Sequence, residues 1–194
     1  LYTLDSVGHG VRAALLTVLL RSAFRPLDAA GRIRPPSDVL AELDQVLRDA
    51  ELAESPTAAF CYGVLDLPRR RLSLANAGHP LPLRLRRGEV ETLGGSGLLL
   101  GVQPDTYETY EVELAPGDRV FFHTDGAEPS YETRFADQLA RHRDLELMDQ
   151  LGGALGAAIT LDDEGRPEDD VTVLALELTD GGAPEQARAG LADS

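Results

Sequence analysis

Strand-like runs crowd residues 57 to 124, and helix-patterned blocks stand on either side of them. "TAAFCYGVLD" (57–66) and "RLSLANAG" (71–78) flank Pro68-Arg69-Arg70, and "PLRLR" (82–86) turns at Arg87-Gly88. Short apolar runs bounded by turn residues read as strands and hairpins. "YETYEVEL" (107–114) alternates, with Tyr110, Val112 and Leu114 on one face. Pro116-Gly117-Asp118 then turns into "RVFFHT" (119–124), whose nearly unbroken apolar character predicts a central strand. Upstream, residues 1–4 read as the end of a strand. Val11, Ala14, Leu15, Val18 and Leu19 follow helical spacing, which predicts a helix ending before Pro26. Ser37 is the expected N-cap of a second helix, with Val39, Leu40, Leu43, Val46 and Leu47 as its apolar face. Downstream, residues 131–159 are helical in pattern and "VTVLALEL" (171–178) is expected to be a last buried strand. One block of strands between two blocks of helices predicts an α+β fold in layers, with sheet inside and helices outside.

Composition narrows the function. The chain of 194 residues suits one domain and carries a formal net charge of -15, and all its Lys+Arg are Arg. Such a surface disfavours nucleic acid, whose affinity comes largely from neutralising phosphates. It also repels a phosphorylated substrate unless bound cations reverse the local potential. No run of 18 apolar residues exists for a membrane helix. One cysteine, Cys61, fits a reducing compartment, so a cytoplasmic location is expected. The chain starts at Leu1 with Met148 as its single methionine, so something upstream is expected. Residues 179–194 lack periodicity and are expected to be a flexible tail behind a domain of residues 1–178.

Three acids sit at comparable places. Asp5 leads into a Gly-containing turn, Asp125 follows the apolar strand and precedes Gly126, and Asp169-Asp170 stands before the last strand. Asp before Gly is ordinary turn chemistry for any one of them. Converging at one sheet edge, three carboxylates would repel each other unless cations lay among them. Hard oxygen ligands favour Mg²⁺ or Mn²⁺ over Zn²⁺.

"DSVGHG", "ANAGHP", "PGDRVFFHTDG" and "DDVTVLAL", in this order, resemble the SpoIIE/RsbU branch of the metal-dependent protein phosphatase (PPM) family. The resemblance runs from residue 1 to about 178. It implies an α/β/β/α sandwich of two antiparallel sheets, two Mn²⁺ or Mg²⁺ ions, and removal of phosphate from Ser or Thr of proteins. It implies Asp5 as the acid bridging both ions, the Ser6 carbonyl as a ligand, and Asp125 and Asp169 on one metal. Asp170 and His9 would stand just behind the ligands. His9 is read as fixing its turn, with proton donation to the leaving oxygen as the alternative. His79 is read as architectural. The family's N-terminal hairpin with its "GGD"-type acid has no counterpart in this chain. The implied substrate is a phosphorylated anti-anti-sigma factor. An upstream sensor or receiver domain is implied in the same protein, and a homodimer is left open. The rival readings are a degenerate module that binds a phosphoprotein without hydrolysis and a small-molecule phosphohydrolase. No Walker-type phosphate loop supports the latter.

Overall fold

The computed structural model describes residues 1–6, 10–50, 56–127, 135–159, 161, 164–165 and 170–180. Strand β1 (Tyr2–Ser6) is followed by helices α1 (Val11–Ala23) and α2 (Pro36–Asp49). Six strands come next: β2 (Ala58–Asp66), β3 (Arg71–Ala77), β4 (Leu83–Arg86), β5 (Glu89–Thr92), β6 (Tyr110–Glu113) and β7 (Arg119–His123). Helices α3 (Phe135–Arg141) and α4 (Leu147–Ala158) precede the last strand, β8 (Val173–Glu177). The strands form two four-stranded sheets, in the orders β1-β2-β3-β6 and β5-β4-β7-β8. Every strand pairing among the described residues is antiparallel.

Three apolar clusters fill the three interfaces of a four-layer sandwich. Leu16, Leu20, Leu40, Leu43 and Leu47 pack on Phe60, Tyr62, Ala75 and Ala77, joining α1 and α2 to the first sheet. Cys61, Leu72, Leu74, Val120 and Phe122 lie between the sheets. Phe121, Phe135, Leu139, Ala154 and Ala158 join the second sheet to α3 and α4. Side chains alternate across a strand, so neighbours such as Phe121 and Phe122 serve different layers. This is why β2 and β7 read as continuous apolar runs: both of their faces are covered. The β4–β5 hairpin closes on Arg87 and Gly88, with φ of 52° and 86°. Two positive φ values make the type I′ turn that matches the twist of a hairpin.

The structure corrects several sequence expectations. The spacing picks the wrong face of α1: Val11, Leu15 and Val18 are 76%, 63% and 65% exposed, whereas Leu16 and Leu20 are buried. Ser37 is not the N-cap of α2; Pro35 takes that position with Pro36 at N1. The hydroxyl of Ser37 instead accepts from Thr109 Oγ1 at 2.9 Å. β6 spans only Tyr110–Glu113, and Tyr107 leaves the strand to join the core beside α2. β5 was not foreseen. The helical stretch is the pair α3 and α4, and residues 131–134 lie outside the described ones. β8 is half-buried throughout and edges its sheet among the described residues.

Of the three arginines around the β4–β5 turn, Arg84, Arg86 and Arg87, only Arg87 is exposed. Arg84 is 8% exposed, pairs with Glu91, and donates to the Glu113 carbonyl at 3.1 Å. Arg86 Nε donates to Asp118 Oδ1 at 2.8 Å, and the Ala115 N–H donates to Asp118 Oδ2 at 2.8 Å. Burial pushes the Asp118 carboxyl up, but Arg86 and the Ala115 N–H overcome it and hold it below the ordinary value of 3.8. A carboxyl depressed in the fold stabilises above its unfolded pKa, and that contribution is lost as pH falls through the folded value. Asp118→Asn is expected to cost about 1–3 kcal/mol at neutral pH. The gap to wild type should hold constant down to the ordinary carboxylate range and shrink below it, as read by urea unfolding at a series of acidic pH values.

Candidate functional site

Strand β1 carries the first acid to the edge of the sandwich. Tyr2 stacks on Phe60 at 5.6 Å and tilts against Phe24 at 5.0 Å, so this face of β1 looks toward the helices. Thr3 and Asp5 alternate to the other face, toward the second sheet. The strand does not stop before the acid: Asp5 pairs with Ala59 and Ser6 with Ala58. Asp5 is exposed and Thr3 is buried. An open cleft of about 580 Å³ runs between β1 and the second sheet, lined by Tyr2, Thr3, Leu4, Thr124 and Thr172–Leu174, with Thr17 and Arg21 of α1. Asp5 and Asp125 each directly follow a residue of that lining.

The second acid stands where β7 ends. Asp125 opens a 3-10 turn, Asp125–Ala127, closed by the Ala127 N–H donating to the Thr124 carbonyl at 3.1 Å. This turn is tied to the segment that enters β8. The Thr124 N–H donates to the Thr172 carbonyl at 3.0 Å, and the Thr172 N–H donates back to Thr124 Oγ1 at 2.9 Å. Thr124 Oγ1 donates to the Asp170 carbonyl at 3.2 Å. Gly126 permits the approach: a Cβ there would stand 2.4 Å from the Asp170 carbonyl oxygen. Asp125 and Asp170 are both exposed.

Two histidines underlie this edge. Asn76 closes the turn after β3, donating from Nδ2 to the His79 carbonyl at 2.8 Å and accepting from the His79 N–H at 3.0 Å. His79 Nδ1 lies 3.1 Å from the Pro80 carbonyl, and His123 Nδ1 lies 3.2 Å from the Thr124 carbonyl. A carbonyl only accepts, so both Nδ1 atoms carry the proton. His79 and His123 are 5% and 1% exposed. Neither Nε2 has a hydrogen-bond partner among the described residues. Burial pushes the His79 imidazole below its ordinary value; the Pro80 carbonyl and Asp125 pull it upward and His123 pushes it down. A neutral His79 adds no positive charge beside Asp125.

Of the residues singled out from sequence, Asp5, the Ser6 backbone, Asp125 and Asp170 are described, whereas His9 and Asp169 lie outside the described residues. Among the described residues, no three His, Cys, Asp or Glu side chains form a cluster able to hold a metal ion. The donors brought to this edge are nonetheless carboxylates and carbonyls, the chemistry that suits Mg²⁺ or Mn²⁺. Thr124 and His123 were passed over in sequence, although both stand in the quoted "HTDG". The signal available was a hydroxyl immediately before the acid, at the end of a buried strand.

The fold is that of PP2C-type phosphatase domains. The structure of the SiaA PP2C domain of Pseudomonas aeruginosa superposes with a TM-score of 0.74 at 30% identity, covering 91% of this chain and 74% of that one. The RsbU and RsbW domains of a Mycobacterium tuberculosis protein give a TM-score of 0.74 at 26% identity, covering 94% of this chain and 52% of that one. The family model described as stage II sporulation protein E (SpoIIE) matches residues 1–179, and the chain belongs to that family. A curated relative, the phosphoserine phosphatase RsbP of Bacillus subtilis (strain 168), is 27% identical over 152 residues. The match covers 75% of this chain but 37% of that relative, so the chain spans well under half of the relative's length. No helix among the described residues is long and apolar enough to cross a membrane.

Proposed function

We propose that residues 1–178 act as a protein phosphatase domain that removes phosphate from phosphoserine or phosphothreonine with two Mn²⁺ or Mg²⁺ ions. The observation that carries this reading is the tie between the Asp125 turn and the Asp170 segment, at the edge to which β1 brings Asp5. Asp5, the Ser6 carbonyl, Asp125 and Asp169 hold the ions in this reading, with Asp170 and His9 adjacent. When bound, the ions supply positive charge to the phosphoryl oxygens and lower the pKa of the attacking water.

The chain's own residues do the rest. The strand ends of two different sheets set the acids, so the ligand frame is as rigid as the sandwich. Neutral His79 leaves the carboxylate charge for cations. Cys61 is fully buried, and burial pushes its thiol up to about 12, so it is no nucleophile and no covalent phosphoenzyme forms on it. The cleft beside the acids is open, which favours a loop of a folded phosphoprotein over an enclosed small molecule. The substrate in this reading is a phosphorylated anti-anti-sigma factor in the cytoplasm, with an upstream sensor or receiver domain controlling the enzyme. Residues 179–194 serve as a tail, of which 181–194 lie outside the described residues. The similarity to RsbP and to the RsbU domain supports this choice.

The test is release of phosphate from a phosphoserine protein by the full-length enzyme, with a phosphorylated metabolite of equal charge beside it. Release from the protein at least about tenfold faster than from the metabolite is expected. Turnover of the metabolite alone would refute the reading.

A further inference from the structure

The geometry points to Thr124 as a positioning residue: its hydroxyl is a latch that fixes the spacing between the Asp125 turn and the acid pair ahead of β8. The inference rests on the phosphatase reading above and adds a residue that carries no charge and ligates nothing. The segments that leave β7 and enter β8 meet at one end of this strand pair, and each carries an acid of the proposed site. The ladder between β7 and β8 runs from Arg119 paired with Glu177 to His123 paired with Val173, and there it ends. Beyond it, nothing in regular pairing would hold residue 125 against residue 170.

Thr124 supplies that hold with its backbone N–H and its hydroxyl. Its N–H donates to the Thr172 carbonyl at 3.0 Å, as a ladder residue would. Its hydroxyl accepts from the Thr172 N–H at 2.9 Å and donates to the Asp170 carbonyl at 3.2 Å, with the Thr172 carbonyl a more distant acceptor at 3.5 Å. The side chain thus satisfies one donor and one acceptor of the opposing backbone. Thr124 is only 8% exposed, so water does not readily replace it. Gly126 completes the device, because a Cβ there would stand 2.4 Å from the same Asp170 carbonyl oxygen. One hydroxyl and one missing side chain bring the two loops together. Asp169 directly precedes the latched residue in the sequence. Moving the Asp170 carbonyl therefore moves the start of the segment entering β8 relative to Asp125.

Thr124→Val keeps the shape and removes the hydroxyl; Thr124→Ser keeps the hydroxyl and removes the methyl. Mn²⁺ affinity is measured by calorimetry on the folded protein, and the Thr172 amide by hydrogen exchange without metal. The valine variant is expected to bind Mn²⁺ about 10–100-fold more weakly, as when a group that orients a ligand is lost. Its Thr172 amide should exchange faster. The serine variant should stay within about threefold of wild type on both readouts. Gly126→Ala, which leaves the hydroxyl in place and forces the loops apart, should repeat the affinity loss. It stands in for the valine variant should that one fail to fold. Wild-type Mn²⁺ affinity in the valine or alanine variant would overturn the latch, and so would a serine variant as weak as valine. Wild-type protein that binds no Mn²⁺ would refute the metal reading itself. The latch is then judged on Thr172 exchange alone, where an unchanged rate in Thr124→Val would overturn it.

Discussion

Asp5→Asn is expected to abolish metal-dependent phosphate release while leaving the fold intact. The two halves of this expectation have separate physical grounds. An amide occupies the volume of the carboxylate but carries no charge, so the acid that the family resemblance places between both ions no longer offsets their repulsion. In the proposed arrangement the lost charge would weaken the hold on both ions, and a loss of about 10³-fold or more in kcat/KM is expected, comparable to removing a principal electrostatic group. The fold has little reason to respond. Asp5 pairs with Ala59 through its backbone, which Asn preserves, and its side chain is exposed. The change also removes one negative charge from a chain of net charge -15. Stability within about 0.5 kcal/mol of wild type is expected, as at other surface positions. Phosphate release and urea unfolding of the same preparations check both halves. Wild-type turnover in Asp5→Asn would contradict the assignment of the bridging acid.

The second large effect separates Asp169 from Asp170. Asp169→Ala is expected to lose metal binding and turnover by about 10³-fold or more, and Asp170→Ala by about 10–100-fold, the usual cost of a group that tunes a ligand rather than being one. The backbone geometry at Asp170 is consistent with that ranking. Its carbonyl is already used as the acceptor for Thr124, and its carbonyl oxygen lies against Gly126. Alanine keeps that carbonyl, so the tie between the loops survives in Asp170→Ala. The comparison is made by Mn²⁺ titration and by steady-state turnover on one phosphoprotein. The reverse ranking would place the ligand one residue later.

The layered architecture was legible because both faces of β2 and β7 are covered, which leaves unbroken apolar runs that are hard to misread. The face of α1 was not legible. Leu15, Leu16, Val18, Leu19 and Leu20 leave apolar residues on nearly every side of this helix, so spacing alone does not choose between Leu15 and Leu16. The structure chooses Leu16 and Leu20, which reach Phe60 and its neighbours across the first sheet. β5 escaped because "EVET" is four residues long and mostly exposed, with a pattern too short to stand out. β8 looked buried from its composition, yet a strand edging its sheet is covered less than its sequence suggests. At the site, acids announce themselves by type and by the glycines beside them. The Thr124 latch did not, because threonine at a strand end is ordinary and only the opposing backbone at Asp170 and Thr172 gives its hydroxyl a purpose.

In the proposed mechanism this edge binds two divalent cations and hydrolysis depends on both. One titration tests it: Mn²⁺ is added to chelator-treated full-length enzyme while bound Mn²⁺ and phosphate released from a phosphoserine protein are followed together. No release is expected without metal, with two Mn²⁺ per chain at saturation and release that rises with occupancy of the second ion. Full release from metal-free enzyme, or two bound ions with no release at all, would contradict it.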